Sequence, residues 1–214
     1  MISHKWKCIF IHITRTGGTS IEHWLQGKPQ WQVKHNSQHI TSSYARDREY
    51  SDYYNDYFKF AFVRNPYERV ASELFMARLY NNAHLSLNLD NPEHSLMHVN
   101  ENHYKRINCK GGTEINDYPE NLKPNCIYQN ILAAGVDKVY KFEEFSEAVK
   151  DISSILGKPL PDGGLTKKWS ERVPSHEGPI KYPIKSLQDL RPKDIEVIND
   201  LYGSDFEEYG YERL

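Results

Sequence analysis

Short apolar runs alternate along this chain with segments of helical periodicity. Three runs rich in β-branched and aromatic residues predict buried strands, at 7–13, 58–63 and 138–142. Amphipathic segments that predict helices follow at 20–25, 66–79 and 145–156, and a further helix is predicted over 194–202. Parallel strands need crossover connections, which helices supply. The alternation therefore predicts the α/β class: a three-layer, P-loop-like fold whose parallel sheet is flanked by helices.

For two of these helices the sequence also predicts details: the N-terminal cap of one and the buried face of the other. Asn65 can cap the helix over 66–79, Pro66 suits its first position, and Glu68 stands where a capping-box carboxylate would return to the amide of Asn65. The inward positions of the helix over 145–156 are predicted to be Phe145, Val149, Ile152 and Ile155.

Composition and charge narrow the function classes. The 214 residues are 38% hydrophobic and 26% charged, which is typical of one globular domain over 1–214. A net charge of −2 argues against nucleic acid as a partner, so any anion site must be local. No apolar run reaches the roughly 18 residues of a membrane span, and residues 1–10 lack a secretory signal. Three cysteines without a CxxC pair also favour a cytoplasmic protein, with a Cys109–Cys126 bridge as the alternative.

A glycine-containing loop joins the first predicted strand to the first helix. Its residues are Thr14, Arg15, Thr16, Gly17, Gly18, Thr19 and Ser20. Amides of a first helical turn favour an anion, and glycine lets a phosphate approach the backbone closely. The hydroxyls add hydrogen-bond donors, and Arg15 adds a permanent positive charge. The loop therefore predicts a phosphate site, but not a magnesium nucleotide, because the Walker Lys is absent.

The junction after the second predicted strand has the same layout. Arg64 ends the strand, and Ser72 lies two turns into the next helix, so a guanidinium and a hydroxyl can converge beside the helix N-terminus. This pair predicts a second phosphate site. Arg69 is expected to be a solvated side chain. Two phosphate sites fit one bisphosphorylated nucleotide.

Both junctions resemble those of a known family. Residues 12–22, HITRTGGTSIE, closely resemble the 5'-phosphosulfate loop of sulfotransferases that use 3'-phosphoadenosine-5'-phosphosulfate (PAPS). The likeness is closest to the heparan- and chondroitin-type carbohydrate branch, whose loop reads H-I-P-K-T-G-G-T-S. Residues 60–74, FAFVRNPYERVASEL, are similar to the family's 3'-phosphate motif, an Arg and a Ser eight positions apart. Thr14 replaces the family's Pro, and Arg15 replaces a Lys that contacts the phosphosulfate.

The resemblance implies in-line transfer of a sulfuryl group from PAPS to an acceptor hydroxyl, expected to be a carbohydrate. Arg15, Thr16 and the loop amides would stabilise the charge that develops, 3'-phosphoadenosine-5'-phosphate (PAP) would leave, and no metal is required. An alcohol needs a base, and the carbohydrate branch places a catalytic His just after the first helix. His39 is the favoured base and His35 its substitute; Glu22, expected on a solvated face, is a weaker candidate.

Three weaker signals lie elsewhere. Residues 80–123 predict an irregular insertion, either part of an acceptor cleft or a solvated connection. The segment TKKWS, with Lys167, Lys168 and Ser170, resembles a family loop that closes over the nucleotide. The histidines of this insertion do not complete a H-E-x-x-H metal motif; they are His94, His98 and His103.

Two rival functions remain open on the sequence. A module that binds PAP or PAPS without turnover is conceivable because of Thr14 and Arg15. A P-loop kinase-like phosphotransferase would share the strand-loop-helix layout, but the missing Walker Lys counts against it.

Overall fold

The structure, a computed structural model, describes residues 1–33, 39–79, 128–165 and 186–214, with the backbone alone for 31–32 and 73–79. A four-stranded sheet has the order β1 (Ile2–Ser3), β2 (Cys8–Ile11), β3 (Phe58–Val63) and β4 (Lys138–Lys141). Strands β2, β3 and β4 are parallel, and β1 pairs antiparallel with β2. The predicted α/β class is confirmed. The edge strand β1 was not predicted because two residues are too short to show a pattern.

Helices connect these strands and follow them. They are α1 (Gly18–Gln26), α2 (Gln30–Val33), α3 (Ser42–Tyr44), which continues into a π-helical turn (Ala45–Glu49), α4 (Ser51–Tyr54), α5 (Pro66–Leu79), α6 (Gln129–Leu132), α7 (Phe145–Leu156), α8 (Pro192–Leu201) and α9 (Gly203–Tyr209). Two 3-10 turns lie at Phe142–Glu144 and Leu187–Asp189.

Successive strand residues point to opposite faces of the sheet, and helices cover both faces. Phe10, Phe60 and Phe62 pack against α1 and α7 on one face. On the other face, Ile11 and Val63 pack with α6 and with the segment 40–54. A third apolar cluster joins α5 to α8 and α9. The three-layer prediction is therefore confirmed.

Two predicted details of the helices are wrong. Ile155 is 46% exposed, because the buried stripe of α7 runs through Ile152 to Leu156, four positions on. Glu68 forms no capping box. The amide of Asn65 donates instead to Oε1 of Glu143 at 2.8 Å, and Glu68 pairs with an arginine. The cap by Asn65 is confirmed, since its Oδ1 accepts the Tyr67 amide at 3.0 Å.

The arrangement of β2 and β3 decides where the two predicted phosphate sites lie. The strands are adjacent and parallel, with Phe10 opposite Phe60 and Ile11 opposite Ala61. The loop after β2 and the turn after β3 therefore leave the same edge of the sheet side by side. Ligands of open α/β sheets bind at this edge.

Candidate active site

The loop between β2 and α1 turns through two left-handed residues, Arg15 with φ 64° and Gly17 with φ 79°. Gly17 adopts this conformation without steric cost, whereas Arg15 must be held in it by its contacts. Thr16 is fully buried and donates its hydroxyl hydrogen to the carbonyl oxygen of Ile13 at 2.8 Å. The hydroxyl of Thr16 thus closes the loop on itself. Gly17 provides no side-chain cap for α1, and the amide of Ser20 donates to the carbonyl oxygen of Gly17 at 3.0 Å.

Both glycines allow close packing at the start of α1. A Cβ atom on Gly17 would lie 2.7 Å from Cε2 of Phe142, and one on Gly18 would lie 2.0 Å from Cδ2 of His12. Real Cβ contacts essentially never fall below 3.0 Å. The rings of Phe142 and His12 therefore press directly against the backbone of this loop.

The turn after β3 is fixed through the backbone of Arg64. Its amide donates to Oε1 of Gln129 at 2.7 Å, and Nε2 of Gln129 donates to its carbonyl oxygen at 2.8 Å. Gln129 is held in turn by Asp205, which is fully buried and accepts the amides of Gln129 and Asn130, each at 3.0 Å. Helices α6 and α9 thus position a turn that lies far from them in sequence.

The side chain of Arg64 lies between the two junctions. Its Nη2 donates to Oε2 of Glu68 at 3.2 Å, and its Nη1 donates to the carbonyl oxygen of Arg15 at 3.4 Å. The guanidinium also lies over the ring of Phe142, 4.9 Å from its centre. Burial lowers the pKa of Arg64, against the charges of Glu68 and Glu143, but an arginine stays protonated.

Arg15 completes the link between the junctions. Its Nε and Nη2 both donate to Oγ of Ser72, at 3.0 and 2.9 Å. Arg15 therefore contacts Ser72 through its side chain and Arg64 through its carbonyl oxygen. Arg64 and Ser72, which were expected to converge, are bridged by Arg15. The structure brings these three candidate residues together, and their roles toward a ligand stay predictions.

Comparison with known proteins identifies the family of this chain. Residues 1–212 match the sequence model described as the sulfotransferase family. The chain belongs to the sulfotransferase family. No curated protein and no solved structure matches it. The protein is thus an enzyme that transfers a sulfuryl group, and the edge where the two junctions meet is its candidate active site.

A histidine of this sulfotransferase lies beside the loop. Nδ1 of His39 is 2.9 Å from the carbonyl oxygen of His12, and the two rings are 4.5 Å apart, edge to face. A carbonyl oxygen only accepts, so Nδ1 of His39 carries the hydrogen, and Nε2 is the basic nitrogen of the neutral ring. His39 is thus in the tautomer that a base at Nε2 requires. His35 lies outside the described residues.

Glu22 contradicts the expectation of a solvated face, because it is fully buried. Its Oε1 accepts from Nδ1 of His12 at 2.7 Å, and its Oε2 accepts the Gln30 amide at 3.0 Å. Burial alone would raise the pKa of Glu22, but His12 and the Gln30 amide lower it to about 2. Glu22 is therefore an ionised, fully engaged carboxylate and a poor base. Its position on the face of Gly18 and Leu25 was the sequence signal for burial.

Arg69 is buried as well, with 4% of its surface exposed, so its predicted solvation is wrong. Its guanidinium lies 5.5 Å from the ring centre of Tyr202. Arg69 is buried because α8 and α9 pack against this side of α5. The local sequence of α5 carries no signal that would predict this packing.

Several predicted residues lie outside the described parts of the sulfotransferase. They are Lys167, Lys168, Ser170, the insertion at 80–123 with its histidines, Cys109 and Cys126. Within the described ranges, no three His, Cys, Asp or Glu side chains are grouped as metal ligands, and no helix has the length and apolarity to cross a membrane. Cys8 is a buried free thiol. The cytoplasmic location stays a prediction.

Proposed function

We propose that this sulfotransferase takes its sulfuryl group from PAPS and transfers it to a carbohydrate hydroxyl. The contact between the two junctions carries the proposal: Nη1 of Arg64 reaches the carbonyl oxygen of Arg15 at the ends of adjacent parallel strands. One nucleotide bears its two phosphates only a sugar ring apart, so both phosphate sites must lie within its reach. Junctions in direct contact meet that requirement.

The start of α1 is the proposed site for the 5' end of the donor. The amides of the N-cap residue Gly17 and of the first helical residues, Gly18 and Thr19, lie at the N-terminus of α1, where the helix dipole favours an anion. The half-buried hydroxyls of Thr19 and Ser20 add donors there. Thr16 supports this site by closing the loop, through its bond to the Ile13 carbonyl oxygen.

The turn after β3 is the proposed site for the 3'-phosphate. Arg64 supplies a guanidinium that is 19% exposed and is oriented by Glu68 and by the ring of Phe142. Ser72 supplies a hydroxyl from α5, the helix that follows this turn. Because Gln129 fixes the backbone of Arg64, the guanidinium starts from a defined position, and less entropy is lost when a phosphate binds.

His39 is the proposed base for the acceptor. As the oxygen–sulfur bond to the acceptor forms, the acceptor hydroxyl gives its proton to Nε2 of His39, and the bond between sulfur and the bridging phosphate oxygen breaks. The phosphate leaves with PAP, and this weakly basic group needs nearby positive charge more than it needs a proton. The sequence similarity of the loop to that of the carbohydrate branch supports a glycan acceptor. His35 is the substitute candidate for the base.

Sulfate transfer from labelled PAPS tests this proposal. Wild-type enzyme is incubated with a panel of glycans and a matched panel of phenols, with EDTA present and with ATP as the rival donor. We expect glycan-dependent transfer, with one PAP released for each sulfate transferred. Transfer only to phenols would refute the acceptor class. Phosphate transfer from ATP without any sulfate transfer from PAPS would refute the donor.

A further inference from the structure

The imidazole of His12 lies between the candidate base and the start of α1, and 5% of its surface is exposed. On one side its ring meets the ring of His39 edge to face, with the ring centres 4.5 Å apart. On another side it presses on the backbone of Gly18, where a Cβ atom would lie 2.2 Å from Nε2 of His12. One buried side chain therefore contacts both the proposed base and the helix start that is proposed to hold the sulfuryl end.

Two further contacts keep the ring of His12 in this place. Its Nδ1 donates to Oε1 of Glu22 at 2.7 Å, and its face stacks on the ring of Phe10 with the centres 5.5 Å apart. Glu22 and Phe10 are both fully buried. Glu22 is fixed in turn by the Gln30 amide, which donates to Oε2 at 3.0 Å. The ring of His12 cannot turn or slide without breaking a buried hydrogen bond or a packed contact.

The backbone of His12 adds a second contact with the base. Its carbonyl oxygen accepts from Nδ1 of His39 at 2.9 Å, so the ring and the carbonyl group of one residue act on the same imidazole. The hydrogen bond fixes which nitrogen of His39 is basic, and the ring contact restricts rotation of the imidazole about that bond. This restriction matters for the rate, because a displacement of about 1 Å at a reacting group can cost about 100-fold.

We infer that Glu22 and His12 are positioning residues for the base, an inference that rests on the proposed role of His39. Glu22 orients the ring of His12, and this ring holds the imidazole of His39 at a set distance from the start of α1. In-line transfer needs the acceptor oxygen, the sulfur and the bridging oxygen on one line while the proton leaves, so the base and the donor site must keep a fixed separation. Glu22 thus acts on turnover through two histidines, without touching the substrate.

Two variants separate the parts of this arrangement. His12→Asn keeps a nitrogen donor near the position of Nδ1, so the hydrogen bond to Glu22 can persist, but it removes the ring that meets His39. Glu22→Gln keeps the ring of His12 and replaces the carboxylate that orients it. His23→Asn, at an exposed position of α1, is the matched control for the loss of an imidazole. Glu147→Gln, at an exposed position of α7, is the matched control for the loss of a carboxylate.

Sulfate transfer from labelled PAPS to the glycan panel measures turnover. PAP-binding sites are counted by calorimetric titration, so that unfolded protein does not enter kcat. We expect His12→Asn and Glu22→Gln to lower kcat by about 10- to 100-fold, because the base is displaced. The KM for PAPS and the affinity for PAP should change less than about threefold. Both control variants should leave kcat unchanged.

The tautomer of His39 gives a readout that does not depend on turnover. It is measured at about pH 8, where imidazole is neutral, from proton–nitrogen correlation spectra of enzyme with isotope-labelled histidine. His39→Ala identifies the signals of this ring. In wild-type enzyme His39 should carry its hydrogen on Nδ1. In His12→Asn we expect a mixture of both tautomers, because the imidazole of His39 can then turn away from the carbonyl oxygen.

The outcomes separate this inference from the proposed base. If His39→Ala leaves turnover unaltered, His39 is not the base, and the inference fails with that role. If His39→Ala lowers turnover but His12→Asn changes neither kcat nor the tautomer of His39, only the inference is refuted. Should Glu22→Gln not fold, His12→Asn decides the question alone, because it retains a donor for the buried carboxylate.

Discussion

Replacing Glu22 with glutamine tests the buried hydrogen bond between Glu22 and His12, whose ring packs against that of the candidate base His39. The carboxylate accepts from two donors, Nδ1 of His12 at 2.7 Å and the Gln30 amide at 3.0 Å. Glutamine offers only one oxygen to these donors. Unless His12 changes its tautomer, one buried N–H group is left facing another, which is a costly arrangement. Because glutamine imitates a protonated carboxyl group, the variant measures what ionisation of Glu22 contributes to folding.

The magnitude follows from the pKa of Glu22. That pKa falls from its ordinary 4.5 to about 2 in the folded chain. At about 1.4 kcal/mol for each pH unit of this difference, ionised Glu22 stabilises the fold by about 3 kcal/mol at neutral pH. Since the folded pKa is the lower one, the contribution is complete above pH 4.5 and is lost as the pH falls through about 2.

Urea unfolding followed by circular dichroism measures the effect. We expect Glu22→Gln to lower the free energy of unfolding by about 3 kcal/mol at pH 7 and by only about 1 kcal/mol at pH 3. Glu147→Gln, which removes an exposed carboxylate paired with Lys150, is the matched control and should change stability little at either pH. A difference between Glu22→Gln and wild type that is the same at both pH values would refute the reasoning.

Two further variants test the base and the packing around it. His39→Ala should lower turnover, measured by steady-state kinetics, by about 10²- to 10⁴-fold, and should leave PAP affinity, measured by titration, unchanged. Unaltered turnover would show that the base is His35 or another residue. Gly18→Ala should lower the free energy of unfolding by at least about 2 kcal/mol, because its Cβ would meet the ring of His12 at 2.0 Å. Gly203→Ala, also at the first residue of a helix, meets only the flexible end of Arg213 at 3.2 Å and should cost much less; equal losses would contradict the packing argument.

The α/β class and the meeting of the two junctions could be predicted from the sequence. Apolar runs mark the strands, and the ends of neighbouring parallel strands share one edge of the sheet, so Arg15 and Arg64 had to come close. The cap by Asn65 could also be predicted, because the amide that it accepts, that of Tyr67, lies only two residues further along the chain.

The contacts that the sequence did not predict are made with partners that are distant in sequence. Glu143 takes the place of Glu68 at the Asn65 amide from 78 positions away, and α8 and α9 bury Arg69 from beyond residue 190. Glu22 is a different case, because its helical spacing placed it inward while its charge argued for solvent. Its partner, His12, lies at the end of β2, and only the folded chain brings the two into contact.

The proposed use of PAPS requires that the two junctions hold one nucleotide together. A crystal structure of the enzyme with PAP tests this directly. We expect one PAP per chain, with its 5'-phosphate against the amides of Gly17 and Gly18 and its 3'-phosphate against Arg64 and Ser72. A PAP molecule bound on another face, or bound here with only one phosphate in contact with these junctions, would contradict the account.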